Sequence, residues 1–210
     1  FKSLILIATN ARHSAFGIAF NESQRLAIYS DSTYGNGVID GAKYGLRTAR
    51  SLALLSYRSY EIYGKAQTDD EADKVDEFKA SSYQRYQGDK LAERFNAYSY
   101  VALSKMMDSH NVGRGKVSVE DALRQVSAKT LVVGVTSDRL FPTVEQRFIA
   151  RNVRGAEYAE ISSDYGHDGF LIETEKLSVL IDDFLFNSFK SHRPKVFKIT
   201  IKKKELINPR

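Results

Sequence analysis

Two short runs constrain the fold more than anything else in the chain. Ser3-Leu4-Ile5-Leu6-Ile7-Ala8-Thr9 and Thr130-Leu131-Val132-Val133-Gly134-Val135-Thr136 are almost wholly apolar, rich in β-branched residues and too short for helices. Such runs are strands buried on both faces, the kind found in parallel sheets covered by helices. Each ends in turn chemistry, Asn10-Ala11-Arg12-His13 after the first and Ser137-Asp138-Arg139-Leu140-Phe141-Pro142 after the second. In open α/β sheets ligands bind at these carboxyl ends. A third run, Ala156–Ile161, alternates as an edge strand does. It leads into Ser163-Asp164-Tyr165-Gly166-His167-Asp168-Gly169. A helix from about Thr143 to Val153, led by Pro142, fits between the second and third strands. An acid at the end of one strand is thus followed by a His at the end of the next.

The interval from Ser14 to about Gln125 reads as helical. Phe16, Ala19, Phe20, Ser23 and Ala27 recur at spacings of three and four, predicting one buried face. Asp31 to Gly37 is a turn-rich break. A second helix is predicted from about Lys43 to Tyr63, with Leu46, Ala49, Ala53 and Ser56 or Tyr57 on one face. Asp69 to Lys79 reads as a solvated connection, and helices follow over Ser82–Gly88 and Lys90–Asp108. After a loop at Asn111–Lys116, Ser118 is set to cap a helix, with Asp121 at its third position. So long a helical stretch between two strands of one sheet predicts an insertion, or lid, over the strand ends. The boundaries are 1–13 for a core strand, 14–126 for the helical insertion, 127–189 for the rest of the core and 190–210 for a basic tail. Within Glu173–Phe189 the apolar positions Leu177, Leu180, Ile181, Phe184 and Leu185 predict an amphipathic helix. In the tail, Val196–Lys202 alternates like a strand, either pairing with an edge or disordered.

Charge and cysteine narrow the setting. The net charge of +5 is more than accounted for by Arg193, Lys195, Lys198, Lys202, Lys203, Lys204 and Arg210, set against Glu205. The body is near neutral, which argues against nucleic acid. Cysteine is absent, so disulfides and thiolate chemistry are excluded and a cytoplasmic setting is expected. No apolar run approaches the roughly 18 residues that would span a bilayer, so no membrane association is expected. The leading apolar run lacks the form of a signal peptide. The start at Phe1, directly before a strand, predicts that an upstream part is missing.

The candidate chemistry centres on His167 and Asp138. A loop His held by a loop carboxylate gains a fixed tautomer and a stabilised imidazolium, as general-base catalysis needs. Asp164 is the rival partner, but a triad acid usually comes from another loop, so it reads as a turn anchor. His13, His110 and His192 show no metal-ligand spacing, so no metal is expected. Tyr57 follows Arg50 by about two helical turns and shares its face.

Several motifs together carry a family resemblance. They are Asn10-Ala11-Arg12, Phe20-Asn21-Glu22-Ser23-Gln24-Arg25, Gly45-Leu46-Arg47-Thr48-Ala49-Arg50, Leu55-Ser56-Tyr57-Arg58, Tyr86-Gln87-Gly88, Arg94-Phe95-Asn96-Ala97-Tyr98-Ser99-Tyr100, Val135-Thr136-Ser137-Asp138-Arg139-Leu140-Phe141 and Asp164-Tyr165-Gly166-His167-Asp168. In this order and spacing the chain resembles homoserine O-acetyltransferase, an α/β-hydrolase-fold acyltransferase of methionine biosynthesis, from residue 1 to about 187. The resemblance implies a partial α/β-hydrolase fold, its last three parallel strands with flanking helices and a large helical lid insertion. It implies a Ser–Asp–His triad working by a ping-pong mechanism, with Asp138 as acid and His167 as base. It assigns substrate recognition to Arg50 and Asp168, and Tyr57 lines the pocket. Homoserine carries a carboxylate and an ammonium, for which a guanidinium and a carboxylate are natural complements. Arg47, one turn before Arg50, reads as structural or solvated. Acetyl-CoA would be a co-substrate, no cofactor would be tightly held, and a homodimer would form through the lid.

The chain departs from the family in one decisive respect. The family's nucleophile sits in a Gly-x-Ser-x-Gly elbow, and no such pentapeptide occurs in these 210 residues. The alternatives are a related O-succinyltransferase or serine O-acyltransferase, a generic esterase, or a non-catalytic dimerisation module. Arg50 and Asp168 argue against a generic esterase, whose substrate needs neither. The 210-residue chain alone, offered acetyl-CoA and homoserine, is expected to transfer no acetyl group. Product formation by the purified chain would refute this.

Overall fold

The computed structural model describes residues 1–189. The tail 190–210, with its strand-like alternation, lies outside the described residues. Three strands, β1 (Ser3–Ile7), β2 (Lys129–Val135) and β3 (Glu157–Ile161), form one parallel sheet in the order β1-β2-β3. Register pairs Ile5 with Leu131, and Val133 with Ala159. The central strand is buried from Thr130 to Val135, and its alternate side chains serve two cores. Leu131, Val133 and Val135 pack with Ile161, Leu177 and Phe184, beneath the C-terminal helix Thr174–Phe189. Val132 turns the other way, to Leu123, Ile149 and Val153 on the helices Val119–Arg124 and Thr143–Asn152 and the turn after the latter. This is the period-2 alternation of a strand covered on both faces. In β3, Ile161 is buried while Glu157 and Glu160 are exposed, as expected of an edge.

Between β1 and β2 run six helices: α1 (Ala15–Tyr29), α2 (Lys43–Tyr57), α3 (Tyr60–Gln67), α4 (Lys79–Arg94), α5 (Ala97–Asp108) and α6 (Val119–Arg124). The ends of this insertion are tied at its base. Arg12 and Asn111 form an antiparallel bridge, His13 N donates to His110 O (3.0 Å) and Val112 N donates to Ala11 O (2.9 Å). The chain therefore returns to the carboxyl end of β1 after α5, and α6 carries it back to the amino end of β2, so that adjacent strands pair in parallel across the insertion. The insertion has a core of its own: Ile28, Ala42, Leu46, Ala49, Leu91, Ala97 and Val101.

Three expectations are corrected. The first helix does not bury Phe16 and its spaced partners. Phe16 is 54% exposed, and the buried face is Gly17, Asn21, Gln24, Arg25 and Ile28. Arg25 pairs with Glu22 and with Asp108 (2.6 Å) and donates to Ser104, and Asn21 donates to Asp108 (2.8 Å), so the polar face is satisfied inside. The helix expected over Lys43–Tyr63 breaks at Arg58, which is extended (φ −115°, ψ 149°), because Ser59 caps a new helix by accepting from Ile62 N. The boundary expected near Gly88–Lys90 falls instead at Phe95-Asn96. Asn96 accepts from the backbone N–H groups of Tyr98 and Ser99, and Gly88 lies inside α4 against Arg47.

Helices in the insertion cross closely where glycine permits. A Cβ at Gly45 would lie 2.6 Å from Ile28 Cα and 2.7 Å from Ala27 O. Gly→Ala in a helix normally stabilises by about 0.5–1 kcal/mol. Gly64→Ala, with open space around it, should do so. Gly45→Ala should destabilise by roughly 1–3 kcal/mol through overpacking. Paired thermal melts check this, and melting shifts of the same sign would refute it.

Candidate active site

The site forms where the carboxyl end of β2 meets the turn after β3. Asp138 closes the turn that follows β2 and is 4% exposed. Its Oδ1 accepts from Leu140 N (2.9 Å) and Phe141 N (2.8 Å), which fixes the carboxylate plane. Its Oδ2 lies 2.7 Å from His167 Nδ1. A carboxylate can only accept in that contact, so Nδ1 carries the proton and the neutral ring keeps its lone pair at Nε2. Among the described residues no protein group bonds to Nε2. Asp164 is not the partner of His167. Its carboxylate pairs with Lys65 and its carbonyl accepts from Ser59 Oγ, so it joins the turn to α3.

The His167 ring lies among aromatic rings, with centroids at 5.0 Å (Phe141), 5.2 Å (Phe170) and 5.9 Å (Tyr57). The flanking glycines are needed where they stand. Gly166 has φ +66°, and a Cβ there would lie 2.8 Å from Tyr57 O and 2.9 Å from Ser59 N. Its N–H donates to Ser137 Oγ (2.9 Å), tying the His turn to the Asp turn. A Cβ at Gly169 would meet Ser163 Oγ at 2.8 Å and Val135 Cγ1 at 2.9 Å. The His turn is thus pressed between the sheet and the break separating α2 from α3.

That break brings the other sequence candidates to the same place. Tyr57, at the end of α2, lies beside His167, and the Arg50 guanidinium carbon lies 5.7 Å from the Tyr57 ring centroid. Burial pushes the Tyr57 phenol up; the nearby Arg50 charge opposes this and Asp168 adds to it. Asp168 follows the His, and its Oδ2 lies 3.3 Å from Arg58 Nε. Asp138, His167, Tyr57 and Arg50 therefore lie along one chain of contacts, and Asp168, next to His167 in sequence, meets Arg58 instead.

Arg58 stands in one of the motifs that carry the resemblance, but the sequence assigns it no role. Its partner is 110 positions away, and no local pattern announces such a pair. His13 is buried as well. It is 6% exposed, its ring lies 5.9 Å from Phe141, and its Nε2 is 3.3 Å from Asn21 Nδ2. Burial lowers its pKa, although Asp108 and a Gly17 backbone hydrogen bond act in the opposite sense.

Gly166→Ala should misplace the His turn or push α2 away, lowering both melting temperature and any His167-dependent activity. A variant that melts as wild type would show that the turn has room to relax.

No protein-family model matches the chain. Among curated proteins, a homoserine O-acetyltransferase of Cyclobacterium marinum is 49% identical over 183 residues, which is 87% of this chain and 52% of that protein. A homoserine O-acetyltransferase structure from Staphylococcus aureus matches with a TM-score of 0.69 and 29% identity, over 92% of this chain and 53% of that one. The structure of esterase E22 matches with a TM-score of 0.78 at 15% identity, over 88% and 54%, a likeness of fold alone. The chain spans about half the length of the curated relatives it matches. Over most of its own length, then, it is a homologue of the homoserine O-acetyltransferases and a portion of the α/β-hydrolase fold.

Proposed function

We propose that the protein containing this chain transfers acetyl from acetyl-CoA to the hydroxyl of L-homoserine, with this chain supplying the acid, the base and the amino-acid grip. The observation that carries the reading is the 2.7 Å contact between His167 Nδ1 and Asp138 Oδ2, in a chain 49% identical to a curated homoserine O-acetyltransferase. The nucleophilic serine and the oxyanion donors come from residues outside these 210.

In the first half-reaction His167 Nε2 takes the proton of the serine hydroxyl as its oxygen attacks the thioester carbonyl. Asp138 stabilises the imidazolium without itself becoming protonated, and its two backbone donors keep it aligned. Collapse of the tetrahedral intermediate breaks the C–S bond, and the His proton leaves with the thiol of CoA. In the second half His167 deprotonates the homoserine hydroxyl, which attacks the acetyl-serine ester and regenerates the serine. Arg50 takes the homoserine carboxylate, Asp168 takes the ammonium, and Tyr57 forms the wall between Arg50 and the base. No tightly held cofactor is needed.

The wider setting follows the same reading: a cytoplasmic enzyme of methionine biosynthesis, dimeric through the helical insertion. Exposed Phe16 and Leu26 on α1, and Leu103 and Met106 on α5, favour that surface for a second copy.

The test uses the full-length protein with acetyl-CoA and homoserine, following thiol and ester products. His167→Ala and Asp138→Asn should each lower kcat by about 10³–10⁴. Arg50→Ala and Asp168→Asn should raise the homoserine KM and leave the initial thiol burst of acetyl-enzyme formation. Acetate release at a rate indifferent to homoserine would identify a hydrolase instead, and preference for succinyl-CoA or serine would identify a sister transferase.

A further inference from the structure

We infer that Arg58 is a positioning residue that aims Asp168 at the substrate ammonium. The inference rests on the reading above for the role of Asp168. Asp168 follows the base in a single turn of 3-10 helix, Gly166–Asp168, and its Oδ2 accepts a hydrogen bond from Arg58 Nε (3.3 Å). Without that contact its side chain could adopt several rotamers, and binding would have to order it. With Oδ2 engaged, Oδ1 is left with no protein donor among the described residues, an acceptor suited to an ammonium.

Arg58 is itself well fixed. Its backbone is the extended residue between α2 and α3, and its N–H donates to Leu54 O (3.3 Å). Its guanidinium lies over the ring of Tyr83 on α4, 5.3 Å from the centroid. A planar guanidinium held over a ring presents its N–H groups in a set direction, which a lysine ammonium cannot do. The same residue follows Tyr57, so the break in the helix delivers both the pocket wall and the clamp. The side chains of Arg58 and Asp168 are 28% and 22% exposed. A pair so placed contributes more to orientation than to stability.

The experiment is a double-mutant cycle on the full-length protein, using Arg58→Gln, Arg58→Lys, Asp168→Asn and the combination Arg58→Gln/Asp168→Asn. Arg58→Gln should raise the homoserine KM roughly tenfold, with the acetyl-enzyme thiol burst within about twofold of wild type, which also reports a folded site. Arg58→Lys should recover only part of the loss. The combined variant should be no worse than Asp168→Asn alone, because both remove one interaction. Fully additive losses, or an Arg58→Gln enzyme with wild-type KM, would overturn the assignment. So would a burst lost in both Arg58 variants, which would make Arg58 a structural residue. If the wild type instead acylates a different amino alcohol, the homoserine reading fails separately, and the same cycle run with that acceptor still decides the role of Arg58.

Discussion

The approach of Gly166 to the backbone at Tyr57, Arg58 and Ser59 is the constraint on which the site depends. At 2.8 to 3.0 Å from a notional Cβ, it leaves no space for any side chain. It brings the end of α2 against the turn that carries His167, so the helical insertion and the sheet share one surface. Ser59 reinforces the contact from the other side, its hydroxyl donating to Asp164 O as well as capping α3. Tyr57 and Arg58, adjacent in sequence, leave the helix end in different directions. One reaches the His167 ring and the other the Asp168 carboxylate. A continuous helix through residue 58 would have no such junction to place against Gly166.

This arrangement divides the work between two parts of the chain that fold for different reasons. The sheet is held by burial of β2 on both faces, each buried Val or Leu contributing about 1.5–3 kcal/mol. It fixes Asp138 just beyond the end of its central strand. The insertion has its own apolar core, and its helices cross where Gly45 and Gly88 permit close approach. The proposed proton relay therefore belongs to the sheet, and the proposed amino-acid grip belongs largely to α2. Asp168 sits in the sheet's part of the chain but takes its direction from the insertion.

Much of this was legible because it is local or periodic. The continuous apolar runs gave β1 and β2, alternation gave β3 as an edge, and turn residues after each strand marked Asp138 and His167. Arg50 and Tyr57 share a helix face because seven residues make nearly two turns. What was not legible has a different physical origin. The first helix buries Asn21, Gln24 and Arg25 because partners distant in sequence, Asp108, Ser104 and Tyr100, satisfy them. Hydrophobic periodicity, which treats polar residues as surface, therefore selects the wrong face. The break at Arg58 had a usable signal in Ser59, a good cap with Glu61 in the first turn, but the apolar positions on either side masked it.

The buried polar face of α1 also bears on why the insertion sits where it does. His13 leaves β1, lies against Phe141 beside the acid's turn, and faces Asn21, which is bonded in turn to Asp108 at the end of α5. Apolar packing tolerates sliding, because one hydrocarbon contact substitutes for another. A chain of directed hydrogen bonds does not, since each buried group left unpaired costs roughly 1–3 kcal/mol. The network therefore fixes α1 and α5 in register with the first strand end. Gly166 fixes α2 to the His turn. Anchored at both places, the insertion holds Tyr57 and Arg58 against the site with little freedom, as the proposed grip on a small zwitterion by a few directed groups would demand.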